Sequence, residues 1–300
     1  LNWKVVSAVA VTLIFWSSAF AGIREGLLGG YTPGHLVLLR FLSASLVFII
    51  YALITRMPLP RRRDIPRIAL LGVVGITVYH TSLTFGELTV PAGTASLLIA
   101  AAPAVTAVIA TVVLKERLNI IGWFGIVLGF AGVVVITAAS GDNTSFTRGA
   151  LLVLLSAVAT SFFFVFQKPL FQRYSPIHLT AYFTWFGTIP MLVFLPGFWH
   201  DMATATTAAT LSGIYIGVFP AAVSYVAWAI ALSMGDAGKV SSALYVNPLL
   251  AIAIAFFWLG ELPKWSSIVG GVIAIAGVMI VNLWGSRPLK PRESSSRMEA

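Results

Sequence analysis

Tyr31-Thr32-Pro33-Gly34-His35-Leu36 and Tyr174-Ser175-Pro176-Ile177-His178-Leu179 are one signal written twice, 143 residues apart. A shift of 145 residues also lays Pro103 on Pro248, Glu116 on Glu261, Gly125 on Gly270 and Gly132 on Gly277. The chain is therefore read as two halves of one design. Apolar runs long enough to cross a bilayer, about 20 residues each, fall at 5–22, 34–54, 67–86, 91–114 and 120–139, then at 147–168, 176–196, 208–232, 237–259 and 265–284. The first run lacks an A-x-A-type cleavage site and nine similar runs follow it, so it counts as a span. Five crossings end on the opposite face from where they began, which forces the second half to enter the membrane upside down. The expected fold is an all-α polytopic membrane protein with ten transmembrane helices in two inverted five-helix repeats, 5–139 and 147–284, and a cytoplasmic tail at 285–300. Inverted repeats are the architecture of secondary transporters, where two halves open a central site to alternate sides. A duplication kept for structural reasons alone is the competing reading.

Composition agrees with a membrane chain. Of 300 residues, 58% are hydrophobic and 10% charged, against about 25% charged in soluble domains, so neither a water-soluble globule nor a separate catalytic domain fits. The net charge of +9 does not point to nucleic acid, because Lys and Arg sit in the breaks between runs and form no basic face. Instead it reports sidedness. With ten spans, Lys4, Arg56, Arg61, Arg62, Arg63, Arg67, Lys115, Arg117, Lys168, Arg173, Lys239 and the four basic residues of the tail share one side, while Arg24, Arg148 and Lys264 share the other. By the positive-inside rule both termini are cytoplasmic, in a bacterial-type inner membrane. The absence of cysteine excludes disulfides, thiolate nucleophiles and Cys-type zinc sites, and no cofactor is expected.

Several motifs recur in a fixed order. Phe15-Trp16-Ser17-Ser18-Ala19-Phe20 is followed by Arg40-Phe41 with Ala44, then by Pro103, Lys115-Glu116-Arg117-Leu118 and a glycine-spaced fifth run. The second half answers with Asn247-Pro248 and Gly260-Glu261-Leu262. This order resembles the EamA module of the drug/metabolite transporter superfamily over nearly all of residues 5 to 284. It departs at Phe183, which stands where the second half would repeat Arg40. The resemblance implies ten helices in a basket, the fifth and tenth at its periphery, and export of metabolites or drugs. The aromatic-rich character is most similar to YddG-type amino acid exporters.

Pro103 and Pro248 lie mid-run, where proline removes a backbone hydrogen bond and clashes with the carbonyl four residues back. They are candidate hinges, with static packing kinks as the alternative, and Asn247 adds a polar neighbour. Arg40 and His80 are the clearly ionisable side chains inside runs, where charge is costly enough to suggest function. Arg40 is near enough to its run's start to snorkel, and His80 can equally be a neutral structural residue. Thr77, His80, Thr81, Thr84 and Glu87 share one helical face. Aromatic and polar residues also mix on faces that include Trp16, Tyr79, Phe163, Trp185 and Tyr245, a mixture lipid does not favour. The candidate substrate-binding set is thus Trp16, Arg40, Tyr79, His80, Phe163, Trp185, Tyr245 and Asn247. Small residues at Gly122, Gly125, Gly129, Gly132, Gly270, Gly271, Ala274 and Gly277 allow close helix approach, as scaffold or as a homodimer surface on spans five and ten.

No enzyme motif emerges. Gly141-Asp142 and Gly235-Asp236 lack the first Gly of a G-x-G-D motif, and neither a metal-type His cluster nor G-x-S-x-G occurs. The expectation is an exporter of small organic metabolites, most plausibly neutral or aromatic amino acids, whose partners are its substrate and the lipid bilayer. A multidrug or quaternary cation exporter is the alternative, although Phe15-Trp16-Ser17-Ser18 carries no carboxylate for such a cargo. A non-transporting receptor or scaffold is the third reading.

Overall fold

The computed structural model describes residues 3–113, 119–138, 144–234 and 243–285. Lys115-Glu116-Arg117-Leu118, both Gly-Asp pairs and the tail from residue 286 lie outside the described residues. Among the described residues every regular element is helical: α1 (Trp3–Leu28), α2 (Pro33–Thr55), α3 (Ile65–Gly72), α4 (Tyr79–Gly86), α5 (Ala92–Ile99), α6 (Ala102–Val113), α7 (Ile120–Ala138), α8 (Thr144–Gln167), α9 (Pro176–Met191), α10 (Phe198–Thr204), α11 (Thr207–Val218), α12 (Ser224–Met234), α13 (Asn247–Leu259) and α14 (Trp265–Ile280). Six of the helical stretches are long and apolar enough to cross a membrane, and four further apolar helices are shorter. Leu53, Ile54, Ile120, Phe257 and Trp265 stay exposed; such side chains suit a hydrocarbon solvent rather than water.

Local chemistry explains where helices begin. Pro33 and Pro176 occupy first turns, where the missing N–H has no intrahelical acceptor to lose. Ser175 accepts a hydrogen bond from the His178 N–H and Thr206 from the Ala209 N–H, N-caps worth about 1 kcal/mol each. Asn119 accepts from the Gly122 N–H at the start of α7 and donates Nδ2 to the Trp284 carbonyl at 2.6 Å. α1 runs six residues past the expected end at Gly22, and Arg24 on this extension bonds Glu261 and the Glu87 and Leu88 carbonyls.

Interruptions fall at matching places in the two halves. A π turn at Val73–Val78 joins α3 to α4, and another at Phe219–Val223 joins α11 to α12. The prolines occupy a different place from the one their sequence position suggests. Pro103 is the second residue of α6 and Pro248 the second of α13, each following a break at Ala100–Ala101 or a 3-10 turn at Ala243–Val246. Each proline therefore sits beside a local break in its helical path, and before Pro103 helical hydrogen bonds continue through the break, with Ala101 donating to Leu98 and accepting from Ala104 and Val105.

Carbonyls of the first residue after each break accept hydroxyls from the other half. Ser161 Oγ on α8 donates to the Ala102 carbonyl at 2.9 Å, while Ser17 Oγ on α1 donates to the Asn247 carbonyl at 3.1 Å and to Asn247 Oδ1 at 2.6 Å. Irregular backbone at membrane depth requires such internal partners.

The small-residue stripes of α7 and α14 pack on one another. A Cβ at Gly132 would stand 2.4 Å from the Ala274 nitrogen, and one at Gly277 2.3 Å from the Gly129 nitrogen. Trp123, Phe124, Val127 and Phe130 point outward instead, so any contact between copies on α7 would use those bulky side chains.

Candidate functional site

Arg40 lies about two turns into α2 and is only 3% exposed. Its helix is anchored at its start: Asp201 accepts from the Thr32 N–H at 2.9 Å and meets His35 Nδ1 at 2.5 Å. Farther along, α2 and α11 approach backbone to backbone, since a Cβ at Gly217 would stand 2.3 Å from the Arg40 carbonyl. The Arg40 guanidinium sits 5.5 Å from the Phe41 ring centroid, a cation–π contact of about 2 kcal/mol when desolvated. Its Nε and Nη1 find no hydrogen-bond acceptor among the described residues, and no carboxylate there forms an ion pair with it. Tyr79, Tyr225 and Glu87 lie within its electrostatic reach.

His80 is 2% exposed, with ring centroids of Phe41 and Tyr79 at 4.6 Å and 4.1 Å. Among the described residues neither ring nitrogen has a partner, nor do the buried hydroxyls of Thr81, Thr84 and Ser224. The π turns set this arrangement. Tyr79 and His80 follow directly on the first, and Ser224 and Tyr225 on the second, so a 145-residue shift lays His80 on Tyr225. Such extra-residue turns rotate the following side chains and recur at functional sites.

Trp16 packs against Tyr225 and Trp228, both at 5.4 Å between centroids, and its Nε1 donates to the Pro220 carbonyl. Asn247 joins through Ser17, the neighbour of Trp16. Two other candidates lie elsewhere. Phe163 fills the space beside Gly75 on the first π turn and packs on Phe183 at 5.0 Å; Trp185 donates to the Ser45 carbonyl and faces Tyr182. The Tyr245 side chain lies outside the described residues. The sequence-derived set therefore separates into Arg40, Tyr79, His80 and Trp16, linked through Phe41 and Tyr225, with Asn247 bonded to Ser17, while Phe163 and Trp185 serve other contacts.

Charges from both halves meet beside Glu87. Arg24 Nε pairs with Glu261 Oε1 at 2.9 Å, and its Nη1 donates to the carbonyls of Glu87 and Leu88 at 2.9 Å and 3.1 Å. The Glu87 side chain is fully buried, and neither carboxyl oxygen has a partner among the described residues. Burial drives this carboxyl well above the usual carboxylate range, opposed by Arg24 and Arg40 and reinforced by Glu261. Opposite, Asp64 receives Arg173 Nη1 at 3.1 Å and the Tyr174 hydroxyl at 2.8 Å, and the Tyr182 hydroxyl donates to the Pro58 carbonyl. Sequence reasoning missed the Arg24–Glu261 pair because its members lie 237 residues apart. It also missed the π turns; Gly75 and Pro220, each inside an apolar run, were the available signals.

A scan against family models matches the EamA-like transporter family twice, over residues 3–138 and 147–283. An "Uncharacterized transporter YdfC" of Bacillus subtilis (strain 168) is 42% identical over 280 residues, covering 93% of this chain and 91% of the relative. A "Probable terminal-alkyne amino-acid exporter" of Streptantibioticus cattleyicolor is 40% identical over 279 residues, with 93% of each chain covered. A solved structure described as "Crystal structure of protein" superposes with a TM-score of 0.63 at 20% identity, over 92% of this chain and 98% of the other. That last likeness is one of fold alone.

Proposed function

This chain belongs to the EamA-like transporter family, and from that premise we propose that it exports small neutral amino acids, aromatic ones included, across a bacterial-type inner membrane. Ten spans form two inverted halves of five, both termini are cytoplasmic, and the halves rock about the buried cluster to open it to either side. The observation that carries this reading is the reciprocal support of the two interrupted helices: Ser17 of the first half holds the break before α13, and Ser161 of the second half holds the break before α6. Each half thus carries its own discontinuous helix and depends on the other, an arrangement typical of alternating access. The relative named as an amino-acid exporter supports the cargo class, as do the rings of Trp16, Tyr79 and Tyr225 beside unpartnered hydroxyls. A quaternary cation would enter beside the Arg40 guanidinium, which disfavours it.

Counterflow in proteoliposomes tests this directly. Phenylalanine, methionine and threonine should exchange while a quaternary ammonium compound does not. Exchange of the cation alone would make the multidrug reading the correct one, and absence of any flux would leave a receptor or scaffold.

A further inference from the structure

We propose that Arg40 is the residue that binds the substrate's carboxylate, so that the central site selects for a carboxylate anion whatever the rest of the molecule. This rests on the transport reading above and adds the chemical group that the site recognises. A guanidinium is a fixed cation with five N–H donors and no acceptor, and one inside a membrane bundle normally pairs with a carboxylate or with backbone carbonyls. Arg40 does neither with Nε or Nη1 among the described residues, although it is 3% exposed and its backbone packs closely against Gly217. The Phe41 ring at 5.5 Å supplies an electron-rich face but accepts no conventional hydrogen bond. Glu87 is within electrostatic reach, yet its carboxyl makes no ion pair with Arg40 and sits beneath Arg24 instead.

The surroundings fit a small carboxylate. Tyr79 and Tyr225, which follow the two π turns, and His80 lie within electrostatic reach of Arg40, and the His80 ring nitrogens and the Thr84 and Ser224 hydroxyls, on the same two helices, have no partner among the described residues. These groups come from α4 and α12, one from each half, so an anion held on Arg40 would touch both moving bodies. A ligand that bridges the halves is the kind whose binding biases a conformational equilibrium.

The test uses purified full-length protein in detergent and reads thermal stabilisation by a ladder of probes: phenylalanine, 3-phenylpropionate, phenylalanine methyl ester, phenethylamine and inorganic phosphate. Phenylalanine and 3-phenylpropionate should bind, and the ester and the amine should bind at least tenfold more weakly. Arg40→Gln should lose at least tenfold in affinity for both carboxylates, while Arg40→Lys should retain part of it. Equal binding of the ester and the free acid, stabilisation by phosphate but by neither carboxylate, no stabilisation by any probe, or wild-type affinity in Arg40→Gln would each overturn the assignment. The wild-type ladder stands even if a variant fails to fold. Should 3-phenylpropionate bind through Arg40 while no amino acid exchanges in proteoliposomes, the carboxylate assignment survives and the amino acid reading falls.

Discussion

Ser17 Oγ reaches both the backbone carbonyl and the side-chain Oδ1 of Asn247, at 3.1 Å and 2.6 Å. One hydroxyl from the first helix thereby fastens the start of α13. Its counterpart, Ser161 to the Ala102 carbonyl, does the same for α6. Removing either hydroxyl loses one hydrogen bond between the halves, about 1 kcal/mol, although the Ala102 carbonyl keeps the Thr106 hydroxyl as a donor. Ser17→Ala and Ser161→Ala should each lower the unfolding midpoint in detergent and slow counterflow. An unchanged midpoint and unchanged flux in the double variant would show the two contacts to be incidental.

The prolines should be more dispensable than their positions suggest. Each already occupies a first turn, so Pro103→Ala or Pro248→Ala changes stability by less than about 1 kcal/mol. Combining Pro103→Ala with Ser161→Ala removes both the ring and the hydroxyl that keep the break open. The pair should cut turnover well beyond the product of the single effects, measured as a double-mutant cycle on transport. Multiplicative behaviour would mean that the two do not share one function.

Because the chain has no cysteine, its sidedness can be read with single introduced thiols. Leu88→Cys should react with an impermeant thiol reagent in intact cells, and Arg62→Cys only after permeabilisation. The reverse pattern would invert the proposed orientation.

Arg24 and Glu261 tie the two halves across one face. Arg24→Gln should weaken that closure by about 1 to 2 kcal/mol, a five- to thirty-fold shift in population. A Thr84→Cys reporter should then react faster with the impermeant reagent from outside. The double exchange Arg24→Glu with Glu261→Arg should slow it again, and equal reactivity in all backgrounds would remove the pair from gating.

Two carboxyls outside the spans make opposite pH predictions. Glu87 has its pKa raised by burial, so its contribution to the folded state is full below the ordinary carboxylate pKa and fades as pH rises through the raised value. Asp201 is pushed up by burial but drawn down further by the Thr32 N–H and His35, for a net lowering. Its contribution is present above about pH 4 and disappears as pH falls through the lowered value. Unfolding midpoints across pH should therefore lose their alkaline-side decline in Glu87→Gln and their acid-side decline in Asp201→Asn. Identical pH profiles in both variants and wild type would sink this account.

Much of this architecture was legible because hydrophobic length and repeat spacing are properties of long segments. The shift that pairs Pro103 with Pro248 also pairs the two helix breaks, so position was readable even though the local geometry was not. A proline mid-run reads as a kink; which residues break on either side of it, and that Ser161, 58 residues away, bonds the turn that follows, is set by tertiary packing. Arg40 and His80 stood out because charge in an apolar run is rare. Phe163 and Trp185 did not separate from Trp16 by composition, since aromatic rings serve packing and recognition alike and only the fold decides which.

The glycine seam between α7 and α14 has a consequence for how the protein is made. α7 closes the first half, but the backbone it packs against belongs to residues 265–280. During synthesis the glycine stripe at Gly125, Gly129 and Gly132 must wait, facing lipid or the insertion machinery, while α8 to α13 are built. The seam is therefore a late checkpoint of biogenesis: a chain halted before Trp265 would leave that stripe uncovered and open to quality-control proteolysis.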